Sequence, residues 1–208
     1  MNPSTDIDLT AAIAAEFLGL ADLLEGSSDG SWDAPSLCVG WRVREVVAHV
    51  TMPVRYGPDE FMAELGSFGG DFTSLSNAIA GRDAELPPDV LLSNLRDDGL
   101  RRWTPPGGGP IGALEHVVIH GFDITLPLGV PRRTPDETVR VVLDDLTHGG
   151  TCAHFGFALG GRRLRAADMD WSYGSGRPIV APAAELVAML SGRRLLSSPG
   201  PRGGAASG

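Results

Sequence analysis

Residues 111–128 read IGALEHVVIHGFDITLPL, the most apolar helical stretch of the chain. Pro110, which precedes it, suits the first residue of a helix, because the missing backbone N–H is not needed there. Pro127 and Gly129 supply the stop signal at the other end. This segment is therefore predicted to be a buried helix, and it contains two of the five histidines.

His116 and His120 are four positions apart in this helix. That spacing corresponds to roughly 6 Å of rise and roughly 40° of rotation, so both imidazoles leave the same face. Asp123 returns to that face three positions later. Neutral imidazoles at this spacing can converge on one divalent ion, with the carboxylate as a further ligand or as a hydrogen-bond partner that orients an imidazole.

His49 is the third expected ligand. Residues 41–52, WRVREVVAHVTM, place valines on one side of a second helix that Pro53 is expected to stop. His49 lies beside this apolar stripe, where an unpaired imidazole would cost free energy unless it were ligated or hydrogen-bonded. A metal site that retains an open position usually has three protein ligands, and these three histidines would complete it.

A simpler interpretation stands beside this one. An HxxxH pair also occurs on helices that bind no metal, and His49 alone could be a hydrogen-bonded core residue. His148 and His154 are six positions apart, which does not suit a shared helical face, so both are interpreted as structural. The glycines of the loop 104–110 precede a helix but lack the Lys-Ser/Thr of a phosphate-binding loop.

The overall composition is that of an ordinary folded protein. Seventeen basic residues face 26 acidic ones, giving a formal net charge of −9, which argues against nucleic-acid binding. No apolar run is long enough to span a membrane and the N-terminus lacks a leader pattern, so we expect a cytoplasmic protein with no membrane partner. Cys38 and Cys152 are expected to be reduced.

The remaining chain supports a mainly helical fold. Apolar periodicity and breakers predict helices over residues 6–24, one or two over 58–79, one from Pro88 through Leu100, and one over 136–158. After two glycines at 160 and 161 the pattern changes. Partial alternation over 164–171 and a turn at 172–176 suggest a short β-hairpin, followed by a helix over 182–190.

Three segments are similar to signatures of a known family. Residues 38–49, CVGWRVREVVAH, resemble the CxGWTVRDVVAH motif of the DinB-like, mycothiol-dependent maleylpyruvate isomerase family of actinobacteria, with Arg42 in place of the usual Thr. Residues 115–129 resemble its second metal motif, and GRRLRAADMDWSYGSG resembles its C-terminal segment. The likeness extends over about residues 6–194.

The resemblance implies a DinB-like, up-down four-helix bundle, which we place in residues 1–159. The residue pattern predicts a small C-terminal hairpin-plus-helix segment in 160–196, and the Gly, Pro, Ser and Ala content predicts a disordered tail in 197–208. The resemblance also implies that His49, His116 and His120 bind a divalent metal ion, with Asp123 at the family's acidic position. Zinc is the expected ion, with nickel, iron or copper as alternatives. The isomerases carry a glutamate at the position of His116, whereas other DinB-like members use three histidines.

The function that follows is a metal- and mycothiol-dependent enzyme. It would activate the thiol of mycothiol for attack on a small electrophilic metabolite, as an S-transferase or a cis-trans isomerase. A hydrolase using metal-activated water and a non-catalytic metabolite-binding protein are the alternatives. The electrophile, the thiol-binding residues, any further catalytic residue, and the choice between monomer and homodimer stay open.

Overall fold

The chain is mainly helical, as predicted. The computed structural model describes residues 7–193. The α-helices within this range are Leu9–Glu25 (α1), Asp29–Trp32 (α2), Val43–Val50 (α3), Met52–Arg55 (α4), Pro58–Ser67 (α5), Phe72–Asp83 (α6), Pro88–Leu95 (α7), Gly109–Thr125 (α8), Asp136–His148 (α9) and Ala183–Leu190 (α10). A 3-10 helix spans Thr151–Phe155.

Helix α8 is the centre of the bundle. It packs against α1, α3, α9 and α10, while α3 also packs against α6 and α1 against α7. Its apolar side chains point into one continuous core and are almost fully buried: Ala113, Leu114, Val117, Val118, Ile119, Phe122 and Ile124. Burial on several sides explains why this helix is apolar around most of its circumference.

Helix α3 is shorter than the helix predicted over residues 41–52, since it begins at Val43 and ends at Val50. Its first turn is fixed by Glu45, whose carboxylate accepts the backbone N–H of Arg42 at 2.7 Å and also binds the Arg42 guanidinium. The helix ends at Val50, before Pro53. Pro53 instead lies in the first turn of α4, where its missing N–H costs no hydrogen bond.

Two predicted helices are too long. The helix predicted over 136–158 ends at His148, because Gly149 and Gly150 break it and Gly150 adopts a φ of 75°. A 3-10 helix follows instead of a continuation. Helix α7 likewise ends at Leu95 rather than at Leu100. Apolar residues continue past both ends because the chain stays buried there in turns.

The C-terminal segment contains more strand than the sequence suggested. Arg163–Ala166 (β1) pairs antiparallel with Ser172–Tyr173 (β2), so a hairpin is present, but its connection is 167–171, within the predicted strand over 164–171. Of the turn predicted at 172–176, residues 172–173 form β2 and only 174–176 lie outside the strands. A third strand, Pro178–Ala181 (β3), pairs parallel to β1 and gives the order β2-β1-β3. It escaped prediction because none of its residues is buried and its sequence, PIVA, does not alternate apolar with polar side chains.

The sheet and α10 share the core of the helical bundle. Leu164, Trp171 and Leu186 belong to the same buried cluster as the residues of α1, α3, α8 and α9. This packing carries the chain back to α8 at residue 193. The boundary at 159/160 stays a prediction, and the predicted tail 197–208 lies outside the described residues. Over residues 7–193, no helix has the length and apolar character needed to cross a membrane.

Candidate metal centre

The three predicted histidines meet at one point between α3 and α8. The ring centroid of His49 lies 5.1 Å from that of His116 and 4.8 Å from that of His120, and the latter two are 4.9 Å apart. The Nε2 atoms of His49 and His116 are 3.1 Å apart. One nitrogen from each ring lies within 4.8 Å of the other two, which is close enough to hold a single ion.

Helix packing produces this convergence. The turn-to-turn spacing of His116 and His120 places both on the face of α8 that meets α3. His49 lies near the end of α3 among valines with no solvent exposure, such as Val46 and Val50. His49 itself is 6% exposed. The rings meet at steep angles of 61° to 81°, edge to face, so their nitrogen atoms point inward rather than the rings stacking.

Asp123 orients His120. Its Oδ2 atom lies 2.9 Å from His120 Nδ1, and the residue has no solvent exposure. Burial alone would raise the pKa of Asp123, but hydrogen bonds and charge from His120 and Arg193 outweigh it and hold the pKa well below the usual value. The ionised carboxylate therefore accepts the Nδ1–H of His120 and leaves Nε2 of that ring free to face the other histidines.

Ser76 has the corresponding position beside His49. Its Oγ lies 3.0 Å from His49 Nδ1, and both residues are buried. Because Ser76 Oγ accepts the Nδ1–H of His49, the lone pair on Nε2 of His49 is available to bind an ion. His116 differs, because its buried Nδ1 has no hydrogen-bond partner among the described residues. The ring of His116 is instead bordered by Trp103, at a centroid distance of 5.3 Å.

Two of the imidazoles are held neutral. Burial is the main reason that the pKa values of His49 and His116 are well below the ordinary histidine value, and the neighbouring histidines and Arg193 lower them further. A neutral imidazole is the form that binds a metal ion. His49 and His116 thus offer two neutral nitrogen ligands at neutral pH with no proton to displace.

Tryptophans line this centre on two sides. Trp41 lies 5.1 Å from His49 between ring centroids, and its Nε1–H donates to Asn77 at 2.9 Å. Trp103 borders His116. Trp171, by contrast, is buried in the C-terminal segment and donates to Asp144 Oδ1 at 2.8 Å, so it is a packing residue and not part of the centre.

A second cluster adjoins the first. The Cys38 thiol donates to Asp123 Oδ2 at 3.1 Å, and its sulfur lies 3.8 Å from His120 Nδ1. Burial, followed by the charge of Asp123, raises the pKa of Cys38 to about 12, so the side chain is a thiol and not a thiolate at neutral pH. Arg193 binds the same carboxylate through two parallel hydrogen bonds, Nε to Oδ1 at 2.9 Å and Nη2 to Oδ2 at 2.8 Å.

The remaining candidate residues lie elsewhere. His148 has a largely exposed side chain whose ring packs edge-on against Tyr173, and His154 is exposed on the 3-10 helix. Cys152 is buried with a free thiol. Neither histidine belongs to the metal-ligand clusters found in residues 7–193.

Ser76 and Arg193 are the site residues that sequence reasoning missed. Ser76 lies on α6, in a helix that the glycine-interrupted pattern predicted only vaguely. Arg193 follows α10, 70 positions after Asp123. The one available signal was the burial of Asp123 on an apolar helix, since a buried carboxylate requires a positively charged partner somewhere in the chain.

Comparisons with known proteins found one matching family model. The family model described as mycothiol maleylpyruvate isomerase N-terminal domain matches residues 13–103, which is less than half of the chain. That range includes His49 and Cys38 but not the two histidines of α8. No curated protein sequence matches the chain.

Two similar solved structures are a mycothiol-dependent maleylpyruvate isomerase and a histidine-to-alanine mutant of such an enzyme. Their sequence identities to this chain are 16% and 15%, with TM-scores of 0.59 and 0.57, and each comparison covers 91% of both chains. The resemblance inferred from the motif at residues 38–49 is thereby confirmed. Residues 13–103 match the mycothiol maleylpyruvate isomerase N-terminal domain, and the chain as a whole shares the fold of the mycothiol-dependent maleylpyruvate isomerases.

Proposed function

We propose that this chain is a metal-dependent enzyme that uses mycothiol as a thiol cosubstrate and directs its sulfur at a small electrophilic metabolite. The observation that carries the proposal is the convergence of three imidazole nitrogens, from His49, His116 and His120, within 4.8 Å of one another. The family match over residues 13–103 and the shared fold support the choice of thiol.

The residues present fit a divalent ion such as zinc. Zinc binds imidazole nitrogen at 2.0–2.1 Å in a tetrahedral arrangement, which places two ligating nitrogens about 3.3 Å apart. The 3.1 Å separation of the Nε2 atoms of His49 and His116 is close to that value. Three protein ligands leave one position for an exogenous group. What an ion supplies in such a site is a lowered pKa for a coordinated thiol, so that the sulfur is a thiolate at neutral pH.

The chain's own residues prepare the ligands. Asp123 and Ser76 accept the Nδ1–H groups of His120 and His49, which fixes both rings with Nε2 toward the centre. Burial keeps His49 and His116 neutral. Trp41 and Trp103 cover the rings of His49 and His116, and their apolar faces limit the access of water on those sides.

The nucleophile of this proposal is an external thiol rather than Cys38. The sulfur of Cys38 lies beside an ionised carboxylate, and its pKa is raised to about 12 by burial and by Asp123. A thiol in such surroundings is inert as a nucleophile at neutral pH. Cys38 instead acts as a hydrogen-bond donor to Asp123, and a separate thiol is needed for the reaction.

The substrate class is a small electrophile. Attack of the sulfur on an electrophilic carbon yields a thiol conjugate if the adduct is released, or a rearranged double bond if the thiol is expelled again. The first product corresponds to an S-transferase and the second to a cis-trans isomerase. Because the similar structures are maleylpyruvate isomerases, maleylpyruvate is the first electrophile to test.

Calorimetry tests the thiol. Protein loaded with stoichiometric zinc is titrated with mycothiol, and we expect one binding site accompanied by proton release. The His120→Ala variant should lose this binding, whereas His154→Ala, which changes an exposed histidine outside the centre, should retain it. Zinc-loaded wild-type protein that shows no heat of mycothiol binding would contradict the proposal.

Turnover separates the thiol-dependent enzyme from the alternatives. Electrophiles, beginning with maleylpyruvate, are incubated with zinc-loaded protein in the presence and absence of mycothiol. Turnover only with the thiol supports the proposal. Turnover at the same rate without any thiol would identify a hydrolase that uses activated water.

A further inference from the structure

His120 belongs to two possible ligand sets. Its ring lies in the cluster with His49 and His116, and it also lies in a cluster with Cys38 and Asp123. In each set, one donor atom per residue lies within 4.8 Å of the others. The Nδ1 atom of His120 faces Cys38 and Asp123, so the two sets use opposite sides of one ring.

The second set has chemistry that suits a divalent ion. A thiolate, an imidazole and a carboxylate are all ligands that zinc accepts, and a thiolate is favoured by soft transition metals. An ion bound there would require His120 to present Nδ1 as a donor. The Nδ1–H···Oδ2 hydrogen bond to Asp123 would then be lost, and with it the orientation of the ring.

Arg193 places a positive charge beside the second ligand set, Cys38, His120 and Asp123. Its guanidinium binds both oxygens of Asp123, and Nη2 lies 4.0 Å from Cys38 Sγ. Asp123 Oδ2 already accepts from Arg193, His120 and Cys38, so its lone pairs are fully used. A cation brought to this cluster is repelled by the guanidinium of Arg193 and finds no free lone pair on Oδ2 of Asp123.

The position of Arg193 is fixed by the C-terminal segment. Nη1 donates to the backbone carbonyl of Ser191 at 2.6 Å, and the guanidinium carbon lies 6.0 Å from the ring centre of Phe155. The side chain is only 15% exposed. The segment that follows α10 therefore reaches Asp123 of α8 through the side chain of Arg193.

We propose that Arg193 is a positioning residue that directs a divalent ion to His49, His116 and His120 and excludes it from Cys38, His120 and Asp123. It acts through Asp123 by holding that carboxylate as the acceptor for His120 Nδ1–H. This inference rests on the proposed metal centre. It adds that Arg193 determines which of the two ligand sets containing His120 binds the ion.

Cobalt(II) is a suitable probe, because sulfur coordination gives a charge-transfer band in the near ultraviolet that nitrogen coordination does not give. Purified apo-protein is titrated with cobalt. Wild-type protein should bind one equivalent without the sulfur band. The Arg193→Gln variant should show the band and bind cobalt about 10- to 100-fold more weakly at the histidines. The double variant Arg193→Gln/Cys38→Ser should lose the band.

Two further variants separate charge, geometry and fold. Arg193→Lys retains the charge but not the paired hydrogen bonds, so it should show weaker binding and still no sulfur band. This variant keeps the test decisive if Arg193→Gln fails to fold, because unchanged cobalt affinity in Arg193→Lys would overturn the positioning role. Arg132→Gln is the matched control: Arg132 is 16% exposed and paired with Asp136, outside the centre, and its loss should change neither readout.

The possible outcomes distinguish a failure of the inference about Arg193 from a failure of the metal centre itself. If Arg193→Gln binds cobalt with the wild-type affinity and spectrum, the inference is wrong while the metal centre stands. A sulfur band in wild-type protein would also overturn it, since Cys38 would already be a ligand. Absence of cobalt binding to wild-type protein would contradict the metal centre itself and, with it, this inference.

Discussion

The Nε2 atoms of His49 and His116 lie 3.1 Å apart, although 67 positions separate the two residues in the chain. Two neutral imidazoles at this distance form at most one hydrogen bond between them. The Nδ1 atom of His116 is buried without a partner among the described residues, and burial of an unpaired polar atom costs free energy. An ion would be bound through the two facing Nε2 atoms, and because these nitrogens meet only in the folded chain, metal binding and folding are coupled at this centre.

Removal of any one ligand should therefore abolish tight metal binding. We expect His49→Ala, His116→Ala and His120→Ala each to weaken zinc affinity by at least about 100-fold, a larger effect than loss of an outer hydrogen bond. Competition with a chromophoric chelator measures the affinity. His148→Ala, at an exposed position beside Tyr173, is the control and should leave it unchanged. Unaltered affinity in His49→Ala would remove that residue from the ligand set.

The three histidines show which parts of the site can be predicted from the sequence. The spacing of His116 and His120 predicts a shared face because helix geometry is regular. The prediction that His49 joins them required in addition that α3 pack against α8, whereas its valine stripe indicated only that this side of α3 faces the core. Ser76 and Arg193 could not be predicted in this way. Their roles depend on which helix covers His49 and where the chain returns after β3 and α10, and neither follows from local periodicity.

The lengths of α7 and α9 were overestimated because the apolar pattern reports burial and not helical conformation. The apolar pattern continues beyond the ends of α7 and α9, because Leu100 and Cys152 are buried in the turns that follow these helices. Burial and helical conformation are separate properties, and periodicity reports the first. Gly149 and Gly150 were the sequence signal that α9 ends at His148, even though apolar residues follow them.

Loss of the Ser76 hydroxyl should affect the metal centre without disturbing the fold. The Ser76→Ala variant leaves His49 Nδ1 without its 3.0 Å partner, so the ring is no longer held in one orientation. We expect zinc affinity to fall by about 10-fold, the lower end of the range for such partners. Thr73→Ala, at an exposed position on the same helix, should have no effect. Equal affinities in the two variants would show that Ser76 does not orient His49.

Asp123→Asn should affect stability more than it affects metal binding. The substitution removes the charge that pairs with Arg193, and an uncompensated buried guanidinium costs about 3–5 kcal/mol. Urea unfolding of the apo-protein measures this loss. A variant as stable as wild type would mean that the ion pair is not needed for the fold.

The pH dependence of wild-type stability checks the same ion pair. The pKa of Asp123 is depressed in the folded chain, so its contribution to stability is present above the ordinary aspartate pKa of about 3.9 and is lost as the pH falls below that value. We expect the free energy of unfolding of wild-type protein to decline below about pH 4 more steeply than that of Asp123→Asn. Parallel declines in the two proteins would contradict this assignment.

Glu115 should make the protein less stable at alkaline pH. It is 6% exposed, its Oε1 has no hydrogen-bond partner among the described residues, and burial together with repulsion by Asp145 raises its pKa to about 8. Between the ordinary glutamate pKa of 4.5 and about 8, the folded chain binds a proton that the unfolded chain has released. The stabilisation from this proton is fully present below the lower value and is lost as the pH rises through the higher one.

Glu115→Gln isolates this contribution, because a neutral amide of similar size cannot ionise. We expect wild type and variant to have similar free energies of unfolding at pH 5, and the variant to be more stable at pH 8.5 by more than about 1 kcal/mol, since one pKa unit corresponds to about 1.4 kcal/mol. Glu137→Gln, on the first turn of α9 and exposed, is the control and should follow the wild-type curve. A constant difference between Glu115→Gln and wild type at both pH values would show that Glu115 does not titrate in this range, and its burial would then have to be stabilised by contacts other than a bound proton.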